Sequence, residues 1–314
     1  MKFLFVCQPL SDNFARPYLT YLDSYEWINS DFKRVESLAQ ETDVDVIWIE
    51  WANDYARKLL HLGRLPKPVI VRIHDWEIRM DKILQIDWSN VDLIWFINPD
   101  AMRDFKEKIP GFPEERMFYL PNAIDLDCWP SGIAQGVKHL GILSLNVQPR
   151  KRLGRALELM RLLPDEYRLT IRTSPEPHWA DPSLVQTLKN HVGEAYWKGR
   201  IKIDWRPQNV GRIHKDRHEV IDFWRDKSHA VCVSDHEGFS YGLAEGMACG
   251  AAGATMVWDW GSTKTFWPWA SESIEDLATW IQNSQPTELF RLCVDRFDSK
   301  RLAPDLERKL TYLL

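Results

Sequence analysis

The sequence predicts an α/β protein built from two successive Rossmann-like halves, and three observations carry that expectation. Apolar runs of strand length alternate with stretches of helical spacing from residue 2 to residue 120. The pattern then breaks into LPNAIDLDCWPSGIAQGVKH (120–139), which holds prolines and glycines and no sustained period, and the alternation restarts at Leu140. Short, continuously apolar strands between amphipathic helices indicate parallel sheets covered on both faces. The expected division is a first domain over 1–122, a linker over 123–138, and a second domain over 139–314 that ends in a helical tail.

Taken in order, Lys2 to Val6 forms the first core strand; its apolar run is too short for a signal peptide and no small-residue cleavage site follows it. Tyr18 to Trp27 has helical spacing. Strands are expected at Val44 to Ile49, Val69 to Ile73, Leu93 to Ile97 and Met117 to Leu120, with helices at Asp54 to Leu62 and Pro99 to Lys108. After the break come a strand at Leu140 to Leu145, a helix at Lys151 to Leu163, a strand at Arg168 to Thr173, a helix ending near Val192, a strand at Ile201 to Trp205 and a helix at His214 to Trp224. The tail from Ser271 is helical in pattern, with Pro286 and Pro304 as expected breaks.

Composition narrows the function classes. Lys and Arg number 40 against 45 Asp and Glu, a net charge of −5, which argues against a nucleic-acid-binding domain. The five cysteines, at 7, 128, 232, 249 and 293, lack CxxC or His-paired spacing and suggest neither a disulfide framework nor zinc. A reducing, cytoplasmic compartment fits that usage. No run approaches the ~20 apolar residues of a membrane span. The basic, amphipathic segment 56–67 is compatible with peripheral contact at the inner face of a membrane, although a short surface helix packing on its own sheet accounts for it better. Without GxGxxG after the first strand, an NAD-dependent dehydrogenase is disfavoured.

The stretch from His229 to Trp258, HAVCVSDHEGFSYGLAEGMACGAAGATMVW, organises the second half. It reads as a buried strand, a turn carrying Glu237 and Gly238, a helix over Ser240 to Cys249 and a second buried strand from Ala251. A glutamate at the carboxyl end of a parallel strand stands where such sheets bind ligands. Glu245 lies in a helix otherwise made of apolar and small residues, where a carboxylate needs a partner; sugar or ribose hydroxyls would provide one. Gly242 and Gly246 share one helix face and allow close packing. Upstream, Arg150, Lys151 and Arg152 stand at the expected start of a helix, against its dipole, either as an anion site or as a solvated basic patch.

These residues resemble a known family. EGFSYGLAEGMACG is similar to the E-x7-E signature of retaining GT-B glycosyltransferases, family 4 in particular, and three further segments fall in that family's order: PVIVRIHDWE (68–77), MFYLPNAIDLDCW (117–129) and SLNVQPRKRLGRALEL (144–159). The resemblance implies two Rossmann-like domains facing a central cleft. It implies transfer of a sugar, most simply a hexose, from a nucleoside-diphosphate sugar to a glycan, glycolipid or other hydroxyl acceptor, with retention and without a metal or other cofactor. Carried over residue by residue, Lys151 grips the diphosphate, Glu237 holds sugar hydroxyls, Glu245 holds the ribose, and His74 hydrogen-bonds beside the donor sugar. Gly238, Phe239, Ser240 and Tyr241 line the donor beside Glu237. Asn146 stands where the family has an arginine, a loss that Arg150 or Arg172 could offset. The loop CQPLSDNFAR (7–16) lacks the family's glycines, so Ser11, Asp12 and Asn13 are expected to meet acceptor hydroxyls through their side chains. Asp125 and Asp127 belong to the junction segment and are not expected to bind metal. Two rival readings share the scaffold: a sugar-nucleotide epimerase, and a non-catalytic nucleotide-sugar-binding subunit.

Overall fold

The computed structural model describes residues 2–7, 14–22, 24–28, 34–41, 43–144, 147–175, 180–193, 199–206, 217–260 and 262–313. The chain separates into two compact units, residues 1–125 with 297–314, and residues 126–296.

In the first unit the elements run β1 (Lys2–Val6), α1 (Arg16–Leu19), β2 (Ser24–Ile28), α2 (Arg34–Glu41), β3 (Val46–Glu50), α3 (Asp54–Leu60), β4 (Val69–Ile73), α4 (Trp76–Arg79), β5 (Leu93–Phe96), α5 (Pro99–Lys108) and β6 (Met117–Tyr119). The strands pair in parallel in the order β2-β1-β3-β4-β5-β6. Every residue of β3 and β4 is buried, as the unbroken apolar runs require of strands covered on both faces. Asp45 anchors the start of β1 by accepting the Lys2 backbone N–H at 2.7 Å, and Asp43 pairs with the Lys2 ammonium at 3.1 Å. Helix starts are capped where the sequence supplies a short amide: Asn53 accepts the N–H groups of Tyr55 and Ala56, and Asn98 that of Ala101, with Pro99 next in line.

The second unit holds β7 (His139–Leu143), α6 (Leu153–Leu162), β8 (Arg168–Thr173), α7 (Pro182–Gly193), β9 (Ile201–Trp205), α8 (Arg217–Arg225), β10 (His229–Cys232), α9 (Tyr241–Ala248), β11 (Ala252–Thr255), α10 (Thr263–Phe266), α11 (Ile274–Asn283) and α12 (Glu288–Asp295). Its parallel sheet runs β11-β10-β7-β8-β9. Leu140, Ile142, Leu157, Met160, Ile171 and Leu277 belong to one buried cluster beside it. Each sheet reverses its winding once, between β1 and β3 in the first unit and between β7 and β10 in the second. A reversal of this kind is where open parallel sheets bind ligands, outside the carboxyl ends of the two neighbouring strands.

Four expectations need correction. The helical spacing over Tyr18 to Trp27 ends early, because residues 24–28 pair with β1 as an edge strand and inter-strand hydrogen bonds outweigh a weak local period. Pro304 does not break the tail: it lies inside α13 (Ser299–Thr311), forgoing one backbone hydrogen bond in a helix held by its buried face. That tail does not belong to the second unit. Leu302, Leu306 and Leu310 enter the cluster of Phe3, Tyr18, Trp48 and Trp95, and the N–H of Ile124 donates to Phe297 at 2.8 Å, so residues 297–314 complete the first unit. Finally, Arg150 and Lys151 occupy a 3₁₀ turn (Pro149–Lys151), and Arg152 caps α6 in the left-handed region at φ 45°. The basic cluster thus precedes the α-helix instead of forming its first turn.

No helix among the described residues is long and apolar enough to cross a membrane.

Candidate functional site

The winding reversal of the second sheet carries the basic turn after β7 and the acidic turn after β10. Lys151 Nζ lies 2.5 Å from Glu237 Oε1, and Arg150 Nη1 lies 3.3 Å from Glu237 Oε2 and 3.4 Å from the His236 carbonyl oxygen. Ser234 donates its hydroxyl to Glu237 Oε1 at 2.7 Å. Glu237 is only 8% exposed. Burial by itself would raise its pKa, but the adjacent Lys151 and Arg150 cations and the Ser234 hydroxyl outweigh it, and the net shift is downward. Glu237 is therefore a carboxylate shared between two cations.

Asp235 fastens the two turns together. Its backbone N–H donates to the Arg150 carbonyl at 2.8 Å, its carboxylate accepts from Arg152 Nε, and Arg155 lies 2.7 Å away as an ion pair without hydrogen-bond alignment. Sequence reading passed over Asp235, Ser234 and Arg155. An acid two residues before Glu237, facing Arg152 and Arg155 one helical turn apart, is the signal that would have found them.

Helix α9 follows at once. A Cβ on Gly242 would lie 2.6 Å from the Leu143 carbonyl oxygen, and one on Gly246 2.4 Å from the Ala230 Cβ. Only glycine lets this helix lie so close to β7 and β10. Gly238 is half-buried; Phe239 packs edge-on against Tyr241 and Phe266; Ser240 is the N-cap, without a side-chain capping bond. The Glu245 carboxyl is buried with no hydrogen-bond partner among the described residues. Burial drives its pKa up to about 8, only partly offset by Arg217, so at neutral pH it carries a proton and can both donate and accept. Arg172 is not brought to Glu237: its Nε donates to Asp204 at 2.7 Å, its Nη1 donates to the Glu219 carbonyl at 2.7 Å, and the guanidinium lies over Phe223. That ion pair occupies the cation the sequence offered as a substitute at the diphosphate.

In the first unit, His74 follows β4 and is 2% exposed. Its Nε2 lies 2.8 Å from Glu50 Oε1, and its ring stacks on Trp51 at 3.7 Å between centroids. Burial lowers its pKa against the opposing pull of Glu50. Asp125 accepts a long hydrogen bond from Tyr21 at 3.4 Å. Ser11, Asp12, Asn13 and Asn146 lie outside the described residues. Among the described residues no group of three or more His, Cys, Asp or Glu side chains is arranged to hold a metal ion. A cavity of about 390 Å³ bordered by Trp269, Ser271, Asp276 and Trp280 includes none of the residues around Glu237.

No family model matches the chain, and neither does any curated protein sequence. Solved structures do match in fold. The chain is similar to Anabaena HepE in complex with UDP (TM-score 0.70, 15% identity, 99% of this chain and 100% of that one). It is also similar to the apo form of the lipopolysaccharide outer core galactosyltransferase WaaB (TM-score 0.69, 11% identity, 100% of each chain). A third match is sucrose-phosphate synthase from Thermosynechococcus elongatus (TM-score 0.68, 12% identity, 90% of this chain and 77% of that one). The architecture is that of the GT-B glycosyltransferases.

Proposed function

We propose that the protein is a glycosyltransferase that moves a sugar, most simply a hexose, from a nucleoside-diphosphate sugar to a hydroxyl acceptor on a glycan or glycolipid. In this reading the anomeric configuration is retained and no metal takes part. The observation that carries the proposal is the convergence of Lys151 and Arg150 on Glu237 at the winding reversal of the second sheet. The similarity to a fold solved with UDP, and in Anabaena HepE with UDP-glucose, supports it.

The chemistry follows from charge. Breaking the bond between the anomeric carbon and the diphosphate leaves negative charge on the departing phosphate, and preorganised cations stabilise that charge best. Lys151 and Arg150 are held in place by Glu237 and Asp235 before any ligand arrives. With two cations against one carboxylate, the cluster keeps a net positive charge for an incoming diphosphate. Glu237 accepts hydrogen bonds from sugar hydroxyls, Glu245 meets the ribose, and His74 offers a hydrogen-bonding nitrogen to a substrate hydroxyl. Neither glutamate is a covalent nucleophile. The scattered cysteines, without disulfide or zinc spacing, support a reducing, cytoplasmic setting for the reaction.

The test is a transfer assay over a panel of UDP-, GDP-, dTDP- and CDP-sugars, with the product anomer read by NMR. Lys151→Ala and Glu237→Ala should each lower transfer by about 100-fold or more, in the range seen when one preorganised electrostatic partner is removed, with circular dichroism unchanged. Near-normal turnover in both variants would sink the assignment, and conversion of the donor without an acceptor would indicate an epimerase.

A further inference from the structure

Beside the winding reversal of the first sheet lies a buried charged network that the diphosphate chemistry does not use. Glu50 closes β3 with a carboxylate shielded from solvent, and three nitrogens face it: Arg72 Nη1 and His74 Nε2, each 2.8 Å from Oε1, and Trp48 Nε1, 3.0 Å from Oε2. Arg72, also fully buried, donates its other terminal nitrogen to Asn122 and lies 4.3 Å over the Trp95 ring. A buried ion pair is seldom worth its desolvation as a source of stability alone. What this one does fix is the His74 ring.

The ring is held from other directions as well. Trp51 stacks on it with planes 16° apart, and Phe14 lies 5.4 Å away. Trp51 has φ 76°, a left-handed conformation that is strained for a bulky residue and recurs at ligand-binding positions. Glu77 ties the two strand ends together, its Oε1 accepting the backbone N–H of Ala52 at 3.1 Å and of His74 at 3.2 Å.

The protonation pattern follows from the donors. Both oxygens of Glu50 already face N–H groups that cannot accept, so Glu50 presents an acceptor to His74 and Nε2 must carry the hydrogen. The neutral ring then keeps a lone pair on Nδ1, which has no hydrogen-bond partner among the described residues. We infer that Glu50 is a positioning residue that fixes His74 as the Nε2–H tautomer and turns Nδ1 into a hydrogen-bond acceptor for a substrate hydroxyl. The inference rests on His74 meeting substrate, as proposed above. It implies that the group recognised is a hydroxyl, which can donate, and not a phosphate or carbonyl oxygen, which cannot.

Two measurements test it. Nitrogen-15 NMR of the histidine-labelled full chain at pH 8 should show His74 with a protonated Nε2 and an unprotonated Nδ1, and Glu50→Gln, whose amide can also donate, should mix in the other tautomer. In transfer assays Glu50→Gln should lower kcat/KM at least tenfold in the wild type. It should cost almost nothing in a His74→Asn background, where the short amide offers an oxygen near the Nδ1 position without Glu50. An Nδ1–H tautomer in the wild type, or an equal cost of Glu50→Gln in both backgrounds, overturns the assignment. If Glu50→Gln fails to fold, the wild-type spectrum still decides. If no donor is transferred at all, the proposed function fails while the tautomer remains measurable.

Discussion

Glu77 shows how one buried side chain sets a pH dependence. Burial raises its pKa from 4.5 to about 8, against the backbone N–H groups it accepts. Because the folded pKa lies above the unfolded one, its contribution to stability is complete below pH 4.5 and is lost as pH rises through 8. Glu245 behaves alike. His139 and His229 act in the opposite sense: burial lowers both from 6.5 to about 4, so their contribution is complete above pH 6.5 and is lost as pH falls through 4. The two slopes oppose each other between pH 4.5 and 6.5, and above that only the glutamates remain. The urea midpoint should therefore fall between pH 6.5 and 8. Glu77→Gln, which keeps the accepting oxygen and cannot ionise, should flatten that fall; an unchanged slope would contradict the assignment. Of these groups only Glu245 could be singled out in the sequence, by its apolar helix. Glu77 reads there as an ordinary acid after a strand, because one of the two N–H groups it accepts, that of Ala52, comes from 25 positions away.

Helix α9 draws its position from glycine, and the same substitution should have opposite signs at different helical sites. Alanine is favoured over glycine in a helix interior by about 1 kcal/mol. At Gly246 the added Cβ would lie 2.4 Å from the Ala230 Cβ and 3.1 Å from the Trp224 ring, and at Gly242 2.6 Å from a backbone carbonyl. Overpacking of this kind costs ~1–3 kcal/mol and outweighs the propensity gain. Gly242→Ala and Gly246→Ala should each lower the melting temperature and loosen the turn at Glu237. Gly154→Ala in α6, where nothing lies within 4 Å, should leave the melting temperature unchanged or raise it. Calorimetry of the three variants checks the contrast. The shared face of Gly242 and Gly246 was legible from spacing alone, since both lie on one helix. The edge strand β2 was not, because each of its residues pairs with one of β1 that lies 22 positions earlier, Ser24 with Lys2 for example, and the local period looks helical.

At the scale of the whole molecule, the return of α13 to the first unit is a claim about which residues fold together. Leu306 and Leu310 are fully buried in the cluster that holds Phe3, Trp48 and Trp95. Leu306→Ala should destabilise the first unit by ~2–5 kcal/mol, the usual cost of a large buried truncation. Ending the chain at Arg296 should expose that apolar face and abolish the near-ultraviolet dichroism of Trp48 and Trp95; an intact signal would show that α13 is dispensable. By itself the sequence determined the alternation of strand and helix, the break after Leu120, and the acidic and basic turns that resemble a donor site, because apolar period and turn chemistry are local. Only the tertiary structure decided which unit owns residues 297–314, that Lys151 and Arg150 meet Glu237 while Arg172 is taken by Asp204, and that Glu50, itself paired with Arg72, meets His74. Arg150 and Glu237 are 87 positions apart and Ile124 and Phe297, which share a backbone hydrogen bond, are further apart still; such neighbours are set by sheet order and register, which no periodicity along the chain encodes.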